Sequence, residues 1–185
     1  MEIKIDTIIK NKFFMGYGRD CQTKYFVVHG TGGGGTLNWM RDTEIKSMRG
    51  KRYKSGDGLF HYLIERNGDI IEIINPEKWV YHSSVGRHDS ETIGVELLNP
   101  SWTNKTPYTK DQYNSLKWLY GYVRKTYAHE MDCIISHNEM KKKHNRLGKM
   151  CPGTGFEWNK FIDMMLEDYI FFYEKEQLDS IRSRS

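Results

Sequence analysis

Three side chains that bind zinc well stand at the ends of apolar segments or in a tight loop. His29 ends the run YFVVH and His137 ends the run CIISH, and both runs are typical of buried β-strands. Because side chains at strand ends of an α/β sheet line the crevice where ligands bind, we expect both imidazoles to face one site. Cys151 follows 14 residues after His137, in a loop with Pro152 and Gly153. Two imidazoles and one thiolate suit a zinc ion that keeps its fourth position open for water.

The three residues also have simpler interpretations, which the sequence leaves open. A histidine at a strand end is more often a hydrogen-bonded structural residue, and a single cysteine more often lies in a core. A closed structural zinc site would need a fourth ligand close to Cys151. His144 is the candidate in that loop, but its spacing of seven residues from Cys151 is unusual for such a site.

The glycine run after His29, GTGGGG, is a poor match to a phosphate-binding loop. A P-loop needs a lysine and a hydroxyl residue directly after its last glycine, whereas Thr36 and Leu37 follow here and the next lysine is Lys46. We therefore discount a nucleotide site. Glycine permits a close approach to the backbone, so the run is expected to leave a low rim beside His29 for a bulky ligand.

The elements around these residues predict an α/β fold, a single domain with a central mixed β-sheet flanked by helices. Asn67-Gly68 is a strong hairpin signal, and Thr109 with Gln112 forms a capping box at the start of a helix. Hydrophobic periodicity predicts strands over 24–29, 59–65, 70–74, 93–98 and 133–136, and helices over 37–48, 109–129 and 157–176. We divide the chain into an irregular lead-in packed on the domain (1–23), one domain (24–176) and a polar tail (177–185).

The composition describes a polar and mildly basic protein. The 185 residues carry a net charge of +4, and 28% of them are charged. Charge alone fits either a well-solvated surface or an anionic polymer as partner. The densest basic stretch, KKKHNR at 141–146, is short and contains no aromatic residue, so we expect no nucleic-acid partner. The three cysteines predict no disulfide framework.

Six motifs occur in an order that is typical of one enzyme family. They are VVHGTGGGGTLNWMRD, LFHYLIERNGDIIEI, VYHSSVG, TIGVELLN, IISHNE and LGKMCPG. With them the chain resembles the zinc-dependent N-acetylmuramoyl-L-alanine amidases of the type-2 family over residues 24–172. That family includes phage lysozyme-type amidases, muropeptide-recycling amidases and peptidoglycan recognition proteins, so the resemblance implies a peptidoglycan-recognition fold.

The resemblance assigns the metal ligands to His29, His137 and Cys151, which would hold one Zn²⁺ ion. The implied reaction is hydrolysis of the amide between the lactyl group of N-acetylmuramic acid and the L-alanine of the stem peptide. Lys149 stands two residues before Cys151, where the family has its active-site lysine, and a cation there can stabilise an oxyanion. Its simpler interpretation is a solvated loop lysine.

Glu96 is the predicted proton-transfer residue. The phage lysozyme-type enzymes carry a tyrosine at the position of Phe60, and phenylalanine has no proton to offer. The recycling enzymes instead use a glutamate that corresponds to Glu96 in IGVE. A buried carboxylate on such an apolar strand can act as a general base. The alternative is a salt bridge, for example with Arg87.

Four residues are assigned to substrate binding. By resemblance, His82 in VYHSSVG lines the groove and Trp79 flanks it, and Thr31 and Phe60 complete the set. A turn role for His82 and a core role for Trp79 are the alternatives. His61 lies on the opposite parity of its strand from Phe60, so we expect it to be structural or to support the site.

We rank three functions on this basis. The first is an enzyme that acts on peptidoglycan or muropeptides, either an endolysin-type cell-wall amidase or a cytoplasmic recycling amidase. The second is a peptidoglycan-binding module without activity, which Cys151 argues against because relatives that only bind lack the third ligand. The third is a protein with a structural zinc site.

The expected location follows from two features of the chain. No apolar run approaches the ~20 residues of a membrane helix. The first residues, MEIKIDTIIKNKFF, lack the apolar core and cleavage site of a signal peptide. We therefore expect a protein that does not insert into membranes. An endolysin would stay in the host cytoplasm until another factor releases it to the cell wall, and a recycling amidase would be cytoplasmic. We also expect a monomer.

Overall fold

A mixed β-sheet with helices on its faces forms the centre of this computed structural model, which describes residues 1–5, 17–33, 60–128, 131, 133–148 and 150–167. The strands of the described residues are β1 (Ile3–Ile5), β2 (Tyr17–Gly18), β3 (Tyr25–Gly30), β4 (Tyr62–Ile64), β5 (Ile70–Glu72), β6 (Lys78–Trp79), β7 (Thr92–Leu97) and β8 (Cys133–Ser136). Its helices are α1 (Lys110–Thr126), α2 (His137–Lys143) and α3, which is described over 158–167, with a short 3-10 helix at Gly86–Glu91.

The large sheet has six strands in the order β1-β5-β4-β7-β3-β8, and β2 pairs with β6 in a separate sheet. Strands β4 and β5 are antiparallel, whereas β4, β7, β3 and β8 run parallel to one another. The C-terminal ends of these parallel strands therefore meet at one edge of the sheet. The predicted α/β architecture, a mixed sheet flanked by helices, is confirmed.

Strands β4 and β5 are joined at the predicted Asn67-Gly68 turn. Gly68 has a φ of 85°, a left-handed conformation that glycine adopts readily. The N–H of Glu65 donates to the carbonyl of Asp69 at 2.9 Å, which closes the hairpin. The hairpin signal therefore predicted both the turn and the pairing direction.

Helix α1 packs on one face of the sheet and forms the main core with it. Its predicted capping box is present: the Thr109 hydroxyl accepts from the Gln112 N–H at 3.1 Å, and Gln112 Oε1 accepts from the Thr109 N–H at 3.1 Å. The buried residues of this core recur at helical spacing in α1 and at alternate positions in the strands, among them Tyr113, Leu116, Tyr120, Val123, Phe26, Val28, Tyr62, Ile93 and Val95. Their burial contributes roughly 25 cal/mol per Å² of apolar surface removed from water.

Helix α2 lies in the polar segment between His137 and Cys151, where the sequence analysis predicted no helix. Ser136 caps it, because its Oγ accepts from the Glu139 N–H at 3.0 Å while Glu139 Oε2 accepts from the Ser136 N–H at 2.8 Å. This is a second capping box, and the motif SHNE carries its signal in the sequence. His137 therefore opens a helix rather than closing a strand.

The beginning of the chain also differs from the expected irregular lead-in. Ile3–Ile5 pairs in parallel with β5 at the edge of the large sheet, and Tyr17–Gly18 pairs with β6. The predicted helix over 37–48 and the part of the closing helix beyond residue 167 lie outside the described residues, as does the tail. The domain boundaries stay predictions.

Within the described ranges, no helix combines the length and the apolar character needed to cross a bilayer.

Replacing Thr109 with alanine is expected to lower the free energy of unfolding by about 1 kcal/mol, because the first turn of α1 loses its side-chain cap. Urea unfolding followed by circular dichroism measures this difference. Lys110→Ala, at the next and exposed position, is the control and should change the stability by less than about 0.5 kcal/mol. A Thr109→Ala variant as stable as the wild type would contradict the contribution of the cap.

Candidate metal centre and active site

His29, His137 and Cys151 lie together at the C-terminal edge of the parallel strands. His29 is near the end of β3, His137 is the first residue of α2, and Cys151 lies in the loop beyond α2. One possible ligand atom of each residue lies within 4.8 Å of those of the other two. The N–H of Gly30 donates to the Cys151 sulfur at 3.4 Å, which holds the thiol beside the end of β3. Three segments that are distant in sequence thus bring the predicted ligands to one place.

Burial keeps both imidazoles neutral. Burial, followed by the charges of the neighbouring histidines, lowers the pKa of His29 well below its usual range. Burial also lowers the pKa of His137 to about 4. For Cys151, burial and then the nearby Glu96 raise the pKa of the thiol to about 12. The imidazoles can donate their lone pairs directly, whereas the thiol must lose its proton to a metal that binds there.

A chain of hydrogen bonds decides which nitrogen of His29 faces the site. The Thr92 hydroxyl donates its one proton to the Asp89 carbonyl at 2.8 Å, so it accepts from His82 Nε2 at 2.6 Å. His82 Nδ1 then carries a lone pair and accepts from His29 Nε2 at 2.9 Å. Nδ1 of His29 is left without a proton and is the nitrogen that could bind a metal.

His137 is oriented by the same kind of contact. Its Nε2 lies 2.9 Å from the carbonyl of Ser83, and a carbonyl can only accept, so Nε2 carries the proton and Nδ1 the lone pair. Metal-binding histidines usually donate their second ring N–H to an acceptor of this sort. Two imidazole nitrogens and one thiolate form the ligand set of an open catalytic zinc site, so the residues present fit zinc.

The position of His82 depends on a glycine and on a second buried histidine. A Cβ on Gly94 of β7 would lie 2.6 Å from His82 Nδ1, so a larger residue there would displace the ring. The His61 ring centroid lies 5.8 Å from that of His82. His61 Nδ1 accepts from the Gly94 N–H at 2.9 Å, and its Nε2 donates to the Lys78 carbonyl at 3.0 Å. These contacts agree with the supporting role expected for His61.

Asp89 holds the segment that orients His137. Its Oδ1 accepts from the Ser83 N–H at 3.1 Å and from the Ser83 hydroxyl, and it lies 3.7 Å from His82 Nε2. Burial raises the pKa of Asp89 to about 6. Ser83 and Thr92 lie in the motifs VYHSSVG and TIGVELLN, but the sequence assigns neither of them a role in the site, and none of the six motifs includes Asp89. The sequence analysis therefore missed these three supporting residues.

Glu96 stands beside the metal site with one carboxylate oxygen unpaired. Glu96 and His29 are register partners between β7 and β3, so their side chains leave the same face of the sheet. Its Oε2 is buried and has no hydrogen-bond partner among the described residues. Burial raises the pKa of Glu96 to about 8. The alternative salt bridge with Arg87 is not formed, since Arg87 Nη2 lies 3.6 Å from Asp20 instead.

Three of the four residues predicted to bind substrate are packed into the protein. The His82 side chain is 3% exposed and contacts the metal-site histidine. Trp79 is 7% exposed and stacks on Tyr17 with ring centroids 4.7 Å apart. Phe60 is equally buried, in an apolar cluster with Leu63, Ile71, Ile73, Ile74 and Val80. Their burial favours packing or supporting roles, and a substrate contact by any of the three stays a prediction.

The fourth residue, Thr31, anchors the turn that follows β3. Its Oγ1 donates to the Gly33 carbonyl at 2.7 Å and accepts from the Asn99 N–H at 3.0 Å. A substrate contact by this half-buried residue stays a prediction. Lys149 lies outside the described residues, and its role in oxyanion stabilisation also stays a prediction.

Lys141 is a cation near the site that the sequence analysis did not single out. It follows His137 by four residues in α2, which places both on one face of the helix. A Cβ on Gly148 would lie 2.5 Å from Lys141 Nζ, so the ammonium rests against the loop that leads to Cys151. After burial, the charge of Lys141 is the next cause that lowers the pKa of His137. Its helical spacing from a ligand is the signal that could have identified it.

His82→Ala is expected to lower the zinc affinity by about 10- to 100-fold, because His29 loses the acceptor that fixes its tautomer. Competition with a chromophoric chelator measures this affinity without reference to activity. His82→Gln, whose amide oxygen can accept the same hydrogen bond, should recover part of the loss. His88→Ala, which removes an exposed histidine, is the control. Equal zinc affinity of the wild type and His82→Ala would rule out the orienting role.

Comparison with known proteins points to one family. A family model described as N-acetylmuramoyl-L-alanine amidase matches residues 19–154. In sequence the chain is similar to the 1,6-anhydro-N-acetylmuramyl-L-alanine amidase AmpD of Haemophilus influenzae, with 31% identity over 109 residues. This match covers 55% of the chain and 55% of AmpD, so the chain spans about half the length of the curated relatives it matches.

Solved structures share the fold. The N-acetylmuramoyl-L-alanine amidase LysC from Clostridium intestinale URNW aligns with a TM-score of 0.67 and 18% identity, covering 89% of this chain and 97% of LysC. The endolysin N-acetylmuramoyl-L-alanine amidase LysCS from the same organism aligns with a TM-score of 0.66 and 18% identity, covering 89% and 95% of the two chains. The family model spans most of the chain, including all three clustered ligands. This chain belongs to the N-acetylmuramoyl-L-alanine amidase family.

Proposed function

We propose that this protein is a zinc-dependent amidase that cuts peptidoglycan between the lactyl group of N-acetylmuramic acid and the L-alanine of the stem peptide. The observation that carries the proposal is the cluster of His29, His137 and Cys151, whose possible ligand atoms lie within 4.8 Å of one another on the face of the sheet that also bears Glu96. Membership of the family and the similarity to AmpD support this activity.

The three ligands would hold one zinc ion through His29 Nδ1, His137 Nδ1 and the Cys151 sulfur. Zinc bound in this way lowers the pKa of water and polarises a carbonyl group. The protein itself contributes orientation, because His82 and the Ser83 carbonyl fix the two imidazoles. The metal would therefore meet ligand atoms that already carry their lone pairs on the correct nitrogens.

Glu96 is suited to move the proton that amide hydrolysis requires. Attack of water on the amide carbon releases a proton, and the amine of L-alanine must gain one as the C–N bond breaks. The unpaired Oε2 of Glu96 can accept the first proton and deliver it to the leaving amine. Burial raises the pKa of Glu96 to about 8 without a metal, whereas a bound cation would favour the carboxylate, so the two effects together suit a group that exchanges a proton near neutral pH.

The negative charge that develops on the carbonyl oxygen calls for a nearby cation. Lys149 is the candidate that the family resemblance supplies. Lys141 is a second candidate, since its ammonium rests against the loop before Cys151 and its charge reaches both histidines. The two lysines approach the site from different segments and can share this role.

Two biological roles fit the chemistry. The first candidate is lysis of the intact wall by an endolysin-type enzyme, which the mildly basic net charge of +4 favours because the wall is anionic. The second is hydrolysis of soluble muropeptides, which is favoured by the similarity to AmpD, a protein named for a 1,6-anhydro-N-acetylmuramyl substrate. A binding module without activity is disfavoured by the complete ligand set beside Glu96.

Purified peptidoglycan treated with the protein is expected to release stem peptides with a free L-alanine amino terminus, which mass spectrometry identifies. A chelator should abolish the release and added zinc should restore it, because the three ligands hold the reactive ion. Faster turnover of soluble 1,6-anhydro muropeptides than of intact wall would assign the second role. If protein that is shown to carry zinc leaves both the wall and the muropeptides uncut, the amidase proposal is overturned and the binding module becomes the leading function.

In the same assay, Glu96→Gln should lower kcat by about 10²- to 10⁴-fold while the zinc content is unchanged, since the amide cannot accept the proton. Glu77→Gln changes an exposed carboxylate and serves as the matched control. Normal turnover by Glu96→Gln would move the proton-transfer role to another group.

Lys141→Met is expected to lower kcat by about tenfold or more with little change in KM, because the oxyanion exists only after the amide is attacked. Lys142→Met, at the exposed neighbouring position of α2, should retain wild-type kcat. Lys141→Arg should recover part of the rate. If Lys141→Met and Lys142→Met are equally active, Lys141 has no part in the reaction.

A further inference from the structure

A tryptophan at the tip of a surface loop presents most of its ring to solvent. Trp102 is 84% exposed, although tryptophan is highly buried in the average protein. It belongs to the segment 99–106, which connects β7 to α1 and passes beside the glycine run that follows the first metal ligand. No step proposed above makes use of this side chain.

Hydrogen bonds within the segment hold Trp102 in a defined place. Asn99 Oδ1 accepts from the Ser101 N–H at 3.0 Å, and Asn99 Nδ2 donates to the Thr106 carbonyl at 2.8 Å. The Asn104 N–H donates to the Ser101 carbonyl at 2.9 Å, which closes a turn with Trp102 at its tip. The exposed ring is therefore carried by an ordered turn.

Asn104 ties this turn to both loops that surround the metal centre. Its Oδ1 accepts from the Gly32 N–H at 2.8 Å, and its Nδ2 donates to the Gly30 carbonyl at 3.2 Å, directly after the first ligand. Its carbonyl accepts from the Gly155 N–H at 2.9 Å, in the loop that carries the third ligand. These contacts fix Trp102 on the rim of the metal centre.

The indole ring lies next to Gly33. A Cβ on Gly33 would lie 3.8 to 3.9 Å from three atoms of the six-membered ring, which is ordinary van der Waals contact. The outer surface of the ring faces solvent. Trp102 stands between Ser101 and Thr103 in the sequence, and the hydroxyls of these two neighbours lie 3.2 Å apart. The turn thus combines an exposed apolar ring with two hydrogen-bonding residues.

We propose that Trp102 is a stacking platform for a pyranose ring of the glycan strand, held at the rim while the stem peptide enters the metal centre. This inference rests on the proposed function, which supplies the substrate class. A pyranose has an apolar face of C–H groups that packs on an aromatic ring, and hydroxyls at its edge that hydrogen bond to neighbouring side chains. The arrangement at Trp102 matches both properties.

A protein partner fits this surface less well than a sugar. Protein interfaces need a contiguous apolar patch, and Trp102 is the one large hydrophobic residue exposed within the segment 99–106, all of which the structure describes. One exposed ring between two hydroxyl residues in the sequence is of the size of one sugar. Trp102 therefore determines preference for glycan-linked substrates over free peptides.

The test measures how strongly the full chain binds peptide-free glycan oligomers prepared from peptidoglycan, with NMR titration as the readout. Trp102→Ala is expected to weaken this binding by about tenfold, whereas Trp102→Tyr, which keeps an aromatic face, should stay within about threefold of the wild type. Leu147→Ala removes a side chain that is 100% exposed and is the control for loss of exposed apolar surface. With glycan-linked substrate, Trp102→Ala should raise KM by a similar factor and leave kcat unchanged.

Equal glycan affinity of the wild type and Trp102→Ala overturns the inference, and so does the absence of glycan binding by the wild type at millimolar concentration. A different result would contradict the proposed function, namely that the cleavage assay releases no stem peptides from peptidoglycan. If the protein binds glycan through Trp102 but releases no peptide, the stacking proposal stands and the amidase proposal fails. If Trp102→Ala releases peptide as well as the wild type does, the amidase proposal stands and the stacking proposal fails.

Discussion

The hydrogen bond between His29 and His82 is the contact that decides whether the candidate metal site can bind an ion through His29. It fixes the tautomer of one ligand, and it can do so only because Thr92 has already used its own proton on the Asp89 carbonyl. The donor and the acceptor of each hydrogen bond in this series follow from one hydroxyl and one carbonyl. A substitution far from the ligands can thus turn a donor into an acceptor and leave an imidazole with its lone pair on the wrong nitrogen.

Strand β7 supplies most of what this arrangement needs. Thr92, Gly94 and Glu96 alternate along it and share one face: the first orients His82, the second leaves space for its ring, and the third stands in register with His29. The residues between them point to the opposite face and join the core beneath α1. One short strand therefore serves stability on one side and the site on the other.

The fold and the candidate ligands His29, His137 and Cys151 could be predicted because their signals are local. A hairpin turn, a capping box and apolar runs that end in histidine each occupy a few neighbouring residues. The supporting residues could not be predicted, because the role of His82 or Asp89 depends on which strand lies beneath a distant loop. The choice between a groove role and a core role for Trp79 stayed open for the same reason, since the residue that stacks on it is Tyr17 from the start of the chain. Helix α2 is the exception, because its capping box could have been read from SHNE.

The three ligands come from β3, from the start of α2 and from the loop beyond it, and no two of them belong to the same element. An ion bound there would act as a cross-link between the middle of the sheet and a loop more than a hundred residues later in the chain. Since the unfolded chain offers no such site, binding would add about 2.7 kcal/mol to the stability when free zinc exceeds its dissociation constant about 100-fold. The lifetime of the folded protein, and not only its catalytic rate, would then follow the zinc supply of the compartment in which it works.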